Sequence, residues 1–115
     1  MSHADCIFCK IIKGQIPADV VYENEQVIGF RDLHPQAKLH YLFIHRQHSQ
    51  NVNEMSGDPK QLQDIFHAIK DFTETEQLDS TGFRIVTNLG PHGGQTVFHT
   101  HFHVLAGEKL GSFGR

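Results

Sequence analysis

An α+β domain built on a mostly antiparallel sheet of about five strands is the fold this sequence predicts. Three observations point to it. Five short runs are rich in β-branched and aromatic residues, only one long segment has helical periodicity, and 115 residues suit a single core. One domain is expected over residues 1–115, with no internal repeat and no low-complexity stretch.

The elements follow in chain order. Ile7 to Lys13 places apolar residues at helical spacing and stops at Gly14, with Pro17 just beyond, which predicts a helix of two turns. Val20 to Tyr22, Val27 to Phe30 and Tyr41 to Ile44 read as three strands, separated by Glu23-Asn24-Glu25 and Pro35-Gln36. Asp58-Pro59 supplies an N-cap and the proline favoured at the first helical position, with Gln61 where a capping-box partner would sit. Leu62, Ile65, Phe66, Ile69 and Phe72 then mark the buried stripe of a helix reaching Gln77, with Gln63, Asp64, Lys70, Asp71 and Glu74 toward water. Gly82 to Thr87 and Val97 to Leu105 complete the sheet, joined by a loop from Asn88 to Gln95, and the tail after Gly107 is expected to be extended. A thin sheet with an exposed edge favours a symmetric homodimer that covers it.

Composition narrows the function. Ten basic against thirteen acidic residues, and no basic run, argue against a nucleic-acid groove. No long apolar run suggests a membrane span, and two cysteines with no secretory leader suit a reducing cytoplasm. The unusual feature is ten histidines.

Three of them recur at every second position in Phe98-His99-Thr100-His101-Phe102-His103-Val104-Leu105. In a strand, His99, His101 and His103 would project to one side as a row spaced about 6–7 Å apart. Half-exposed polar positions of an edge strand are the plain alternative, but polarity alone gives no reason to choose imidazole three times in register. Just upstream, Gly93-Gly94-Gln95-Thr96 offers flexible backbone and hydrogen-bonding side chains, a combination that suits a phosphate as well as a tight hairpin loop.

The run His99-x-His101-x-His103, preceded by Gly94-Gln95-Thr96, resembles the motif of the histidine triad superfamily of nucleotide hydrolases and transferases. The blocks Ile7 to Pro17, Phe30-Arg31-Asp32, Pro35-Gln36-Ala37 and His40 are similar to its histidine triad nucleotide-binding protein branch, over nearly the whole chain. The resemblance implies a purine nucleoside phosphoramidase that hydrolyses the P–N bond of a nucleoside 5'-phosphoramidate. It assigns His101 as the nucleophile, His103 as donor to the phosphate oxygens, and His40 and His99 as supporting histidines. Asp32 is implied to bind the ribose, Ile7, Phe8, Ile11, Phe30 and Leu33 to surround the base, Asn88 to reach ribose or phosphate, and Gly94, Gln95 and Thr96 to hold phosphate. A neutral imidazole is itself a competent nucleophile toward phosphorus near pH 7. Taken singly, the apolar residues read equally well as core, and Asp32 as a turn residue before Pro35.

Cys6-x-x-Cys9 with His48 and His99 offers two thiolates and two imidazoles, a set that suits a structural zinc of the kind some relatives hold, although free cysteines are also good core residues. No cofactor is required for the chemistry itself. His45 stands where the family commonly has proline, and Gly111 to Arg115 lacks the aromatic tail of some members. His3, His34, His45, His67 and His92 read as surface or loop residues. Two other functions share the motif: a dinucleoside polyphosphate hydrolase, and a regulatory protein that binds nucleotide or metal without turning over.

Overall fold

The computed structural model describes residues 3–112. The elements run α1 (Ile7–Ile12), β1 (Val20–Glu23), β2 (Val27–Arg31), β3 (Leu39–His45), α2 (Val52–Met55), α3 (Pro59–Thr75), β4 (Arg84–Val86) and β5 (His101–Ala106). The five strands form one sheet in the order β1-β2-β3-β5-β4, every neighbouring pair antiparallel. The expected fold class is therefore present, with the central strands β3 and β5 carrying most of the site.

Strand alternation divides the sheet into two faces with different tasks. Val27, Tyr41, Phe43, Phe102 and Val104 point to one side and pack under Ile65, Ala68, Ile69 and Phe72 of α3. Tyr41 and Phe43 meet Phe72 with ring centroids 4.8 and 5.5 Å apart. Ile28, Phe30, Leu42 and Ile44 point the other way, toward Phe8 of α1 and Val97. The register sets Leu42 against His103 and Ile44 against His101, so the histidines share this second face with α1.

Local chemistry sets the helix ends. Asp58 caps α3 by accepting from the Lys60 amide at 3.2 Å, and Pro59 occupies the first turn. Gln61 does not close a capping box: its side-chain amide donates instead to the Asp58 carboxylate at 3.3 Å. Cys6 caps α1, its sulfur accepting from the Cys9 amide at 3.4 Å, and Gly14 ends it with φ +74°.

Several sequence expectations are corrected. The last strand begins at His101 rather than Val97, because Thr100 is held outside the ladder by Ser49, whose carbonyl accepts the Thr100 amide at 2.8 Å and whose hydroxyl lies 2.6 Å from the Thr100 hydroxyl. The one-turn helix α2, capped by Asn51, lies in a polar stretch with too few apolar residues to show a period. Asp64 does not face water: its carboxylate accepts from His45 Nε2 at 2.9 Å and also pairs with Lys60. His45, expected at the surface, is buried and ties the end of β3 to α3. Phe66 is half exposed, its ring meeting Phe102 at the margin of the core. Residues 107–112 contain no helix or strand, in keeping with an extended tail, and residues 113–115 lie outside the described part. Among the described residues no helix is long and apolar enough to cross a membrane.

Gly29 on β2 is packed closely against the neighbouring strand β3. A Cβ there would sit 2.7 Å from the ring of Phe43, which is wholly buried. Gly29→Ala is expected to lower unfolding free energy by about 1–3 kcal/mol; urea denaturation measures it, and an unchanged midpoint would show that the Phe43 ring can yield.

Candidate active site

The second face of the sheet carries a cavity of about 270 Å³, with Phe8 and Ile11 of α1, Phe30 and Leu42 of the sheet, Thr96 and Val97 of the approaching loop, and His101 and His103 on its lining. Apolar walls with a few convergent polar groups are the usual make-up of a small-molecule site. Ile7, Asp32 and Leu33 also line it, the last almost fully exposed at the rim.

The protonation pattern of the histidines can be read from fixed backbone groups. His101 Nδ1 lies 2.8 Å from the His99 carbonyl, which only accepts, so Nδ1 carries the proton. The lone pair of His101 is then on Nε2, on the ring edge away from that carbonyl. His40 Nδ1 accepts from the Gln36 amide at 2.9 Å, so the proton of neutral His40 is on Nε2. That nitrogen is 2.8 Å from His103 Nδ1, which must accept, and the proton of His103 is left on Nε2. Two neighbouring rings, with centroids 5.1 Å apart, thus present one nucleophilic nitrogen and one N–H donor.

Burial keeps these rings neutral. Desolvation lowers the pKa of His101 below its ordinary 6.5, against the opposing effects of its bond to His99 and the charge of Asp32. His103 is pushed down to about 4, first by burial and then by His101 and His40. Asp32 stands beside the relay, its carboxylate 3.5 Å from His40 Nε2 and accepting the His34 amide at 2.7 Å. Asp32, His40 and His103 are close enough to hold a metal. The Gln36 amide argues against it, because a metal on His40 Nε2 would displace the proton that Nδ1 cannot take back.

His99 departs from the simple row. Like His101 it packs edge-on against Phe8, with centroids at 5.9 and 5.1 Å, but its ring belongs to a different cluster. Its Nδ1 lies 3.4 Å from Cys6 Sγ, 3.5 Å from Cys9 Sγ and 3.1 Å from His48 Nδ1, and Cys9 Sγ is 3.3 Å from His48 Nδ1. One nitrogen cannot make three hydrogen bonds. Its other nitrogen, Nε2, donates to the His45 carbonyl at 3.0 Å, so Nδ1 has only a lone pair to direct into the cluster. Two thiol sulfurs and two imidazole nitrogens converging at these spacings match the edges of a tetrahedron around an ion bound at about 2.0–2.3 Å. Burial pushes the Cys9 thiol up to about 11, with Cys6 adding to it, and a divalent cation is what would offset the cost of the buried thiolate.

The remaining expected residues fall in different places. The Gln95 side chain is turned into its own loop, donating to the carbonyls of Gln50 at 2.7 Å and Val97 at 3.1 Å and accepting from the Gly90 amide. The Gly94 and Gln95 amides are also used within the loop, on Pro91 and Gly90. Gly94, at φ +80°, permits the turn, and Thr96 alone of the three reaches the cavity. Asn88 donates to the Gly93 carbonyl at 2.6 Å and lines a second cavity on the far side of His103. Sequence reasoning missed Ile16, Pro17, Ala18, Leu42 and Val97 on the apolar walls and His34 at the rim. It also missed His3, whose ring stacks on His48 at 3.8 Å.

Known proteins resemble this chain in sequence and in fold. The HIT domain family model matches residues 13–110. The purine nucleoside phosphoramidase of Escherichia coli K12 is 39% identical over 108 residues, 93% of this chain and 91% of that protein. An uncharacterized HIT-like protein of Synechococcus elongatus is 43% identical over 107 residues, covering 92% and 93%. Among solved structures, a histidine triad protein from Clostridium difficile superposes with a TM-score of 0.93 at 38% identity, covering 98% of this chain and 99% of that one. A HIT family hydrolase from Clostridium thermocellum gives 0.92 at 38% identity, covering 99% and 100%.

The lowered histidine pKa values carry a linkage consequence. The unfolded chain takes up these protons first, so stability is full above about pH 6.5 and falls as pH drops from there toward 4. Urea midpoints between pH 7 and 4.5 should decline, less steeply in His103→Gln than in the parent. An imidazole titration of His103 centred near 6.5 would show the ring to be solvated after all.

Proposed function

The chain belongs to the HIT domain family, and from that premise we propose that it is a purine nucleoside phosphoramidase that hydrolyses nucleoside 5'-phosphoramidates through a nucleotidyl-histidine intermediate. The observation that carries this reading is the pair of tautomers fixed by backbone groups: a lone pair on His101 Nε2 beside an N–H on His103 Nε2. The relationship to the Escherichia coli phosphoramidase supports the reaction class.

In this mechanism the base lies between the walls formed by Phe8, Ile11 and Phe30, and the Asp32 carboxylate receives the ribose hydroxyls. Ile7 and Leu33 close the rim. His101 Nε2 attacks phosphorus, the P–N bond breaks, and its electron pair leaves with the amine, which gains a proton. His101 needs no base to activate it, because Nε2 is already unprotonated. The proton of His101 stays on Nδ1, and its hydrogen bond to the His99 carbonyl stabilises the charge that develops on the ring. His103 Nε2–H meets a phosphoryl oxygen, assisted by Thr96, and His40 and Gln36 behind it hold the donor in place. Water then attacks the phosphorus and gives up a proton, which balances the one the amine gained; the P–Nε2 bond breaks with its electron pair returning to His101, and the nucleoside monophosphate departs. Splitting one displacement into two replaces a high barrier by two lower ones.

The cluster of Cys6, Cys9, His48 and His99 is proposed to hold a structural zinc. A bound ion would neutralise the thiolates of buried Cys9 and half-buried Cys6 and would tie α1 to the segment entering β5. The free edge at β4 is proposed to be covered by a second copy in a homodimer. Unbridged cysteines suit a cytoplasmic location.

His101→Ala should lower release of nucleoside monophosphate from adenosine 5'-phosphoramidate by about 10⁴-fold or more, the order lost when a covalent nucleophile is removed, while nucleotide binding survives. Turnover near the parent rate would refute the mechanism. Faster hydrolysis of a diadenosine polyphosphate than of the phosphoramidate would favour the alternative hydrolase.

Protein never exposed to a metal resin should contain about one zinc per chain. Cys6→Ser should reduce that content and lower the melting temperature by roughly 10 °C, corresponding to about 2 kcal/mol. Metal-free parent protein of full stability would remove zinc from the account.

A further inference from the structure

The ladder between β3 and β5 stops one step short of where its register leads. Ile44 pairs with His101, so the next pair would set His45 against Thr100. Both residues have other partners instead. The Thr100 amide donates to the Ser49 carbonyl at 2.8 Å, and the His45 carbonyl receives His99 Nε2 at 3.0 Å. The His99 carbonyl in turn receives the Nδ1 proton of His101 at 2.8 Å. The carbonyl that sets the tautomer of His101 therefore belongs to a stretch that has left the sheet.

Ser49 and Thr100 hold that stretch by more than one bond. The Thr100 hydroxyl donates its only proton to the Ser49 carbonyl at 3.2 Å, so the Ser49 hydroxyl is the donor in the 2.6 Å contact between the two side chains. Both residues are almost wholly buried, at 3% and 1% exposure. Stability does not account for the pair. Alanine and valine would fill the same space with no hydroxyl to desolvate, and replacing both partners of a buried hydrogen bond by apolar groups of equal shape is nearly neutral or stabilising. What the hydroxyls add is direction. The Thr100 N–H and the His99 carbonyl belong to one planar trans peptide and point in opposite senses, so fixing the N–H on Ser49 also aims the carbonyl.

We propose that Ser49 and Thr100 are positioning residues for the hydrolysis: they clamp the His99–Thr100 peptide plane, and the plane aims the His99 carbonyl at His101 Nδ1. The inference rests on the phosphoramidase reading, because the lone pair that the clamp keeps on His101 Nε2 is the one that attacks phosphorus. Neither residue lines the cavity at His101, so the clamp acts through the backbone and not on the substrate.

The test is the double variant Ser49→Ala with Thr100→Val, set beside Thr100→Ser. Nitrogen–proton correlation spectra of protein carrying isotope-labelled histidine, recorded at mildly alkaline pH, show which ring nitrogen of each residue bears the proton. In the parent, His101 should carry it on Nδ1 alone and His103 on Nε2 alone. In the double variant His101 should become a mixture of tautomers, while His103, held by His40 and Gln36, keeps the parent pattern. Release of nucleoside monophosphate from adenosine 5'-phosphoramidate should fall about tenfold in kcat with KM nearly unchanged, the order of one lost orienting hydrogen bond. The urea midpoint should stay near that of the parent. Thr100→Ser keeps the hydroxyl and should restore both spectra and rate. An unchanged His101 pattern in the double variant, a change in His101 and His103 together, a collapsed urea midpoint, or a Thr100→Ser protein that behaves like the double variant overturns the inference and leaves the phosphoramidase standing. Failure of the parent to hydrolyse adenosine 5'-phosphoramidate overturns the reaction, and with it the catalytic purpose of the clamp, whatever the spectra show.

Discussion

The two ends of His99 hold the site together. Its ring is directed into a cluster of two sulfurs and a second imidazole, and its backbone carbonyl receives the Nδ1 proton of His101. A residue whose side chain is fixed from one side and whose carbonyl fixes the neighbouring ring on the other leaves His101, the proposed nucleophile, one neutral tautomer. Phe8 strengthens this coupling, since its ring touches both His99 and His101 while Cys6 and Cys9 bracket it in sequence on α1. The short helix α1, too brief to be stable alone, depends on these contacts.

A second fixed point sits at the other end of the relay. The Gln36 amide sets the tautomer of His40, and His40 sets that of His103. Between the two backbone groups, the His99 carbonyl and the Gln36 amide, every ring nitrogen facing the cavity has its role determined. Such polarity is preorganised: in the proposed reaction nothing would have to turn when substrate arrives, which is the condition under which hydrogen bonds contribute most to a developing charge. Burial supports the same end by holding His101 and His103 neutral across the physiological range.

The opposite face of the sheet has no part in this chemistry and supplies rigidity. The aromatic contacts of Tyr41 and Phe43 with Phe72, and the buried pair of His45 with Asp64, fix α3 across β3. His45 links the two faces, because its side chain holds α3 while its carbonyl accepts the Nε2 proton of His99. A histidine that the sequence alone would leave on the surface therefore supports the framework of the site.

Much was legible in the amino-acid sequence because the relevant information is local. Alternation gives strands and their faces, Asp58-Pro59 starts α3, and the spacing of His101 and His103 places both rings on one side. The apolar character of Phe8, Ile11 and Phe30 was equally readable, as were the two thiols and two imidazoles of Cys6, Cys9, His48 and His99 that folding brings together. Decisions that depend on partners far away in the chain were not. The departure of His99 from the strand is set by Ser49 and by the thiol cluster, the burial of Asp64 by His45, and the withdrawal of Gln95 from the cavity by Gln50. Proton positions on the imidazoles belong to the same group, since each is dictated by a carbonyl or amide brought near by folding. Residue spacing could nominate the rings, but only tertiary structure could orient them, because a hydrogen bond is specified by where its partner stands and not by how far along the chain it lies.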